Sequence, residues 1–124
     1  MIKQQEIEGI DSCTFGNSKA AINLIKILQN PENSIYCHKV LKILSKYMTA
    51  IKSLTFIPQK GTRETALSIW CDSFTTNVNK SSFFPDVIKT HMNNVMIAQK
   101  RKLLRECKEY FALETTLNHR LRRV

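Results

Sequence analysis

The sequence predicts an all-α fold, a compact bundle of four or five helices with a long basic helix at its C-terminal end. Apolar residues recur at steps of three and four over most of the chain, which is the spacing of one face of an α-helix. The chain has only three Gly and three Pro, too few for the many tight turns of an all-β fold. Its 124 residues and 43% hydrophobic content are sufficient for one domain with a substantial core, so we predict a single domain over residues 1–124.

The clearest helical pattern covers residues 38–56, which we expect to form the central helix. Its apolar positions are Val40, Leu41, Ile43, Leu44, Tyr47, Met48, Ile51 and Leu54. Lys39, Lys42 and Lys46 share the remaining face and should be solvated. Ser34 is a suitable N-cap, because its hydroxyl can accept a hydrogen bond from the first-turn amides.

Two shorter segments predict further helices. The first, Lys19–Gln29, follows Ser18, which is a good N-cap residue. The other covers residues 63–78, with Thr62 as its cap and Trp70 in an apolar stripe that should be largely buried. We predict a linker over residues 79–84.

Pro85 is placed to start the last helix, since a proline at the first helical position loses no hydrogen bond. From residue 86 to 124 there is neither Gly nor Pro, so we predict one long C-terminal helix. Its first apolar positions should pack on the core: Val87, Ile88, Met92, Val95 and Met96. Later ones follow a 4-3 rhythm that is either a continued core face or a seam for homo-oligomerisation: Leu103, Cys107, Tyr110, Leu117, Leu121 and Val124. Residues 1–16 are poorly patterned, either disordered or a docking segment.

The formal net charge of +9 favours an acidic partner such as nucleic acid or an acidic protein segment. The densest basic stretch lies on the predicted C-terminal helix, with Lys100, Arg101, Lys102, Arg105 and Lys108. Such side chains on an exposed helix can neutralise phosphates or pair with carboxylates. A purely solvated face would show the same pattern, so this alternative remains open.

Other classes of function find little support in the sequence. No apolar run approaches the length of a membrane span, so we expect no membrane partner. The histidines (His38, His91 and His119) lack ligand spacing, and no phosphate-binding loop or nucleophile motif occurs, so we predict no metal, no cofactor and no enzyme.

Four cysteines, Cys13, Cys37, Cys71 and Cys107, are far apart in the chain and form no CxxC pair. Reduced core cysteines in an intracellular protein are the leading interpretation, and the N-terminus lacks the apolar region of a signal peptide. Two disulfides in a secreted helical signalling protein are the alternative.

Three segments carry a resemblance to a known family: AAINLIKIL (residues 20–28), VLKILSKYMTAIKSL (residues 40–54) and TALSIWCDSF (residues 65–74). Together they resemble the N-terminal helical module of transcription elongation factor IIS and the related integrase-binding domain of the lens-epithelium-derived growth factor family. The resemblance implies binding of short disordered peptides from nuclear partners. It places the site at two inter-helix loops, with Ile10 and Asp11 in the first and Leu54 and Phe56 near the second. As an alternative, Ile10 and Phe56 are ordinary core residues.

These observations together predict a non-enzymatic protein–protein interaction module, nuclear in location, that binds a partner peptide or helix. A nucleic-acid-binding protein that uses the basic C-terminal helix is the first alternative. The secreted signalling protein is the second.

Overall fold

The computed structural model describes the backbone of residues 18–122 and the side chains of residues 18–106. The elements are α1 (Lys19–Gln29), a 3-10 helix (Pro31–Tyr36), α2 (Cys37–Leu54), α3 (Lys60–Lys80) and α4 (Asp86–Arg122). Within this part of the chain there is no β-strand, so the predicted all-α class with four helices is confirmed. At about 1.5 Å per residue, the 37 residues of α4 extend for roughly 55 Å.

Capping side chains set the start of α1 and the connection that follows it. Ser18 caps α1 as predicted, because its Oγ accepts a hydrogen bond from the Ala21 amide at 3.1 Å. Asn30 ends α1, and its side chain accepts from the Glu32 amide at 3.3 Å, which begins the 3-10 helix. The prediction that Ser34 caps α2 is therefore wrong, since Ser34 lies inside the 3-10 helix and α2 starts at Cys37.

The core forms against one face of the first half of α4. Five apolar side chains of that face are buried: Ile88, Met92, Val95, Met96 and Leu103. Each of α1, α2 and α3 contacts α4, which makes α4 the common packing partner of the bundle. Val87, predicted to join this face, is instead 49% exposed. Beyond Leu103, the residues of the predicted 4-3 seam lie outside the described side chains.

The other three helices contribute apolar stripes with the predicted spacing. The buried members are Ala21, Leu24 and Leu28 of α1, Val40, Leu44, Tyr47, Met48 and Ile51 of α2, and Leu67, Cys71, Phe74 and Val78 of α3. Burying a large apolar side chain contributes about 1.5–3 kcal/mol relative to leaving it exposed. Of the apolar positions that the sequence predicts for α2, Val40, Leu44, Tyr47, Met48 and Ile51 are buried.

Aromatic packing joins α2 to α3. The Tyr47 ring meets the Phe74 ring edge-on, with centroids 5.2 Å apart, and the Trp70 ring at 5.5 Å. Asn77 donates its side-chain amide to the Tyr47 hydroxyl oxygen at 2.5 Å. Trp70 packs against the core with only a minor part of its side chain exposed, in keeping with the prediction that it is largely buried.

Helix α3 is longer than predicted at both ends. It starts at Lys60 with Gln59 as its cap, so Thr62 lies within the first turn. At its other end it continues to Lys80, and the connection to α4 is anchored by Phe84, which is only 4% exposed. The connection is therefore residues 81–85, and the first two residues of the predicted linker belong to α3.

Replacing Phe74 by Ala should lower the free energy of unfolding by about 3–5 kcal/mol, because the side chain is fully buried and its loss leaves a cavity. Urea unfolding followed by circular dichroism measures the change. The matched control is Ile69→Ala on the same helix, where the side chain is 62% exposed and the change should stay within about 0.5 kcal/mol. Equal effects at both positions would contradict this packing.

Candidate partner-binding surfaces

The connection between α2 and α3 presents an aromatic side chain to solvent. Phe56 is 83% exposed, while Leu54 is half-buried against the core. The interpretation of Phe56 as a core residue is therefore wrong. Its exposure has a local cause, because a run of tight turns follows the end of α2. The amides of Thr55, Phe56 and Ile57 each donate to the carbonyl oxygen three residues earlier, all at 3.2 Å.

A buried arginine holds this connection against α3. Arg63 is only 2% exposed, and its Nη1 donates to the Ile57 carbonyl oxygen at 3.1 Å. A hydrogen bond from a charged donor to a carbonyl in a partly buried place is stronger than one between neutral groups. The backbone that carries Phe56 is thus fixed one residue away by a side chain from the next helix.

The charged residues directly on either side of Phe56 are positive. Lys52 and Lys60 are both exposed, and the nearest carboxylate in the sequence is that of Glu64, one turn after Lys60. An exposed aromatic ring between ammonium groups suits a partner that combines an apolar side chain with carboxylates. The other two residues that the resemblance implies, Ile10 and Asp11, lie outside the described residues.

A separate groove of about 840 Å³ lies between the start of α1 and the middle of α4. Its lining residues are Ser18, Ala98, Gln99, Arg101, Lys102, Leu104, Arg105 and Glu106. Arg101 and Arg105 are both exposed and are one helical turn apart, so their guanidinium groups are on the same face. Lys102 lies 3.9 Å from Glu106, a weak ion pair at the surface.

Lys100, one of the predicted basic residues, does not line this groove. Lys100 is half-buried and lies close enough to Cys71 for its positive charge to lower the pKa of the thiol. Burial has the larger effect, so the pKa of the Cys71 thiol is raised overall and the neutral form is favoured. The side chain of Lys108 lies outside the described residues. The structure thus brings together Arg101, Lys102 and Arg105.

Sequence reasoning missed a third surface, at the N-terminal end of α2. There the Tyr36 and Phe83 rings are 5.3 Å apart and edge-on, and Phe83 also meets Phe84 at 5.2 Å. Lys39 Nζ lies 4.3 Å from the centroid of the Phe83 ring, within range of a cation–π interaction. The two consecutive phenylalanines before Pro85 could have indicated this surface. They lie in the predicted linker, so no packing was predicted for them.

The two cysteines whose side chains the structure describes belong to the core. Cys37 and Cys71 are buried, as predicted for core cysteines. Among the residues that the structure describes, no three His, Cys, Asp or Glu side chains are grouped so that they could hold a metal ion. In the same part of the chain, no helix combines the length and apolar character of a membrane span.

The chain matches no protein-family model, and neither the curated proteins nor the solved structures yield a similar one. The resemblance to the elongation factor module therefore stays a prediction.

Replacing Arg63 by Met should lower the free energy of unfolding by about 1–3 kcal/mol, because the Ile57 carbonyl loses a charged donor in a partly buried place. Methionine keeps most of the apolar contact of the arginine stem. Chemical unfolding measures the change, and Arg101→Met, at an exposed position of α4, is the control with little expected effect. If the two variants were equally stable, Arg63 would not hold the α2–α3 connection.

Proposed function

We propose that the protein is a non-enzymatic interaction module that binds a partner peptide or helix at the corner between α2 and α3. The observation that carries the proposal is the 83% exposure of Phe56 on a connection that backbone turns and Arg63 hold in place. Aromatic side chains are frequent anchors of protein interfaces, and a fixed backbone reduces the entropy lost on binding.

The chemistry of the corner defines the expected partner. Leu54 adds partly covered apolar surface two residues before Phe56, and Lys52 and Lys60 supply positive charge. An acidic segment with one or two large apolar side chains complements this arrangement, and the apolar contact would provide the affinity. A nuclear location follows only from the resemblance to the elongation factor module and is part of the proposal.

Photo-crosslinking through position 56 can find the partner. The full-length chain carrying Phe56→p-benzoylphenylalanine should form a specific covalent adduct in cells when irradiated. The same photoreactive residue at Ile22, which is 51% exposed on α1, is the matched control and should not give that adduct.

The captured segment is then synthesised and titrated calorimetrically against the unmodified chain. Phe56→Asp should weaken its binding at least about tenfold, since loss of a central anchor costs about 2 kcal/mol or more. Ile22→Asp should leave the affinity unchanged. If Phe56→Asp binds the segment as well as the unmodified chain does, the corner is not the binding site.

The groove on α4 supports a second candidate function, nucleic-acid binding. Arg101 and Arg105 project from one face, neither forms an ion pair with a carboxylate among the side chains of residues 18–106, and Lys102 adds a third positive charge. Arginine side chains at this spacing can contact neighbouring phosphates, and such contacts release counterions.

This candidate predicts that Arg101→Glu combined with Arg105→Glu abolishes binding of labelled DNA and RNA and flattens the salt dependence of what remains. Fluorescence anisotropy at low and physiological salt measures both effects. Lys26→Glu combined with Lys80→Glu changes the net charge equally at exposed positions on other helices and serves as the control. Equal losses in the two double variants would indicate attraction by net charge without a defined site.

A further inference from the structure

We propose that the chain has a second docking surface, separate from the Phe56 corner, that takes an acidic peptide segment with an apolar anchor. We call it the aromatic–lysine surface and define it as Ile35, Phe83, Val87 and the lysine row Lys39, Lys42 and Lys46 of α2.

The apolar side chains of this surface are exposed, and the Phe83 ring is supported by the core. Ile35 is 69% exposed, Val87 49% and Phe83 41%. The Phe83 ring rests edge-on against Tyr36 and against Phe84, and Phe84 is 4% exposed and belongs to the core. Ile35 adjoins Tyr36 in the chain and Val87 follows Phe83 by four residues, so both lie near this group. Exposed apolar side chains near a ring that is held against the core are typical of protein interaction sites.

The lysine row begins at the aromatic group and continues along α2. Lys39 lies over the Phe83 ring, and Lys42 and Lys46 follow at steps of three and four, which keeps them on one face. All three side chains are exposed, and the row extends for about 10 Å along the helix. Between Glu32 and Glu64 the sequence contains no carboxylate, so none within α2 neutralises the row. The exposed carboxylates near this surface in the sequence are Glu32 and Asp86, which adjoin its apolar end and not Lys42 or Lys46.

The geometry favours a peptide over a single-stranded nucleic acid. Bases stack on an open ring face, but Lys39 covers a face of Phe83, and the neighbouring rings meet it edge-on. The more exposed apolar groups are the aliphatic side chains of Ile35 and Val87, which offer a contact for an apolar side chain. The partner segment would place this anchor against them and its carboxylates along the lysine row.

The apolar anchors of the aromatic–lysine surface and of the Phe56 corner are at opposite ends of α2. Ile35 precedes the 18 residues of α2 and Phe56 follows them, and at about 1.5 Å per residue the helix separates these two anchors by roughly 27 Å. Substitution of one anchor should therefore leave the other intact, and the two proposals can fail separately.

A phage-displayed library of random 16-residue peptides, selected against the full-length chain, tests the proposal. We expect enriched peptides with Asp or Glu next to Leu, Phe or Trp. Calorimetry with a synthetic enriched peptide should show at least about tenfold weaker binding to Ile35→Asp and to Lys42→Glu combined with Lys46→Glu. All these positions are exposed, and circular dichroism melts check that the variants fold. Ile22→Asp and Phe56→Asp are the controls and should keep full affinity.

Three results would overturn the proposal. The first is enrichment of peptides without acidic residues, or no enrichment. The second is an affinity that falls in Phe56→Asp but survives in Ile35→Asp, which would support the Phe56 corner alone. The third is tight binding of a labelled 20-nucleotide oligo-dT that the double lysine variant abolishes, which would assign the surface to nucleic acid.

Discussion

Burial of one apolar face of α4 holds the bundle together. The side chains of Ile88, Met92, Val95 and Met96 are essentially removed from solvent, and α1, α2 and α3 all contact α4. Isolated helices of 11 to 21 residues are at best marginally stable in water, so each of the three depends on this packing. The sequence pointed to α2 as the central helix because its apolar stripe is the clearest. The apolar stripe of α4 is harder to recognise in the sequence, because α4 is much longer and contains many polar residues.

The same packing decides which surfaces remain available to partners. Helix α2 turns its apolar face towards α3 and α4, which leaves its lysines in solvent and its two ends at the rim of the core. Apolar residues just beyond those ends, Ile35 before and Phe56 after, have no helix to cover them. Both proposed peptide surfaces therefore lie where the helices that form the core no longer cover apolar residues. The uncompensated positive charge of the stretch around α2 gives both a preference for acidic partners.

The errors of the sequence-based predictions have specific physical causes. Phe56 comes two residues after Leu54, the last apolar position of the predicted helix, and the sequence pattern does not show that the helix has already ended in tight turns. Val87 directly precedes the fully buried Ile88, and the rotation of about 100° per residue turns its side chain away from the core face. Ser34 is a good cap residue, but the 3-10 helix that begins at Pro31 runs to Tyr36, so α2 starts at Cys37 without a side-chain cap.

The sequence by itself determined the helical class, the bounds of α1, the continuity of the C-terminal helix and most buried positions of α2. Spacing of apolar residues and capping preferences act within a few residues, so they can be read from the chain directly. The tertiary structure alone decided which apolar residues stay uncovered, that Arg63 holds the Phe56 connection, and that Tyr36, Lys39 and Phe83 meet. The contacts of Phe83 with Tyr36 and Lys39 join residues far apart in the chain, and the bond from Arg63 to Ile57 depends on how α3 is placed after the turn. Local patterns carry no information on whether a neighbouring helix covers a given face.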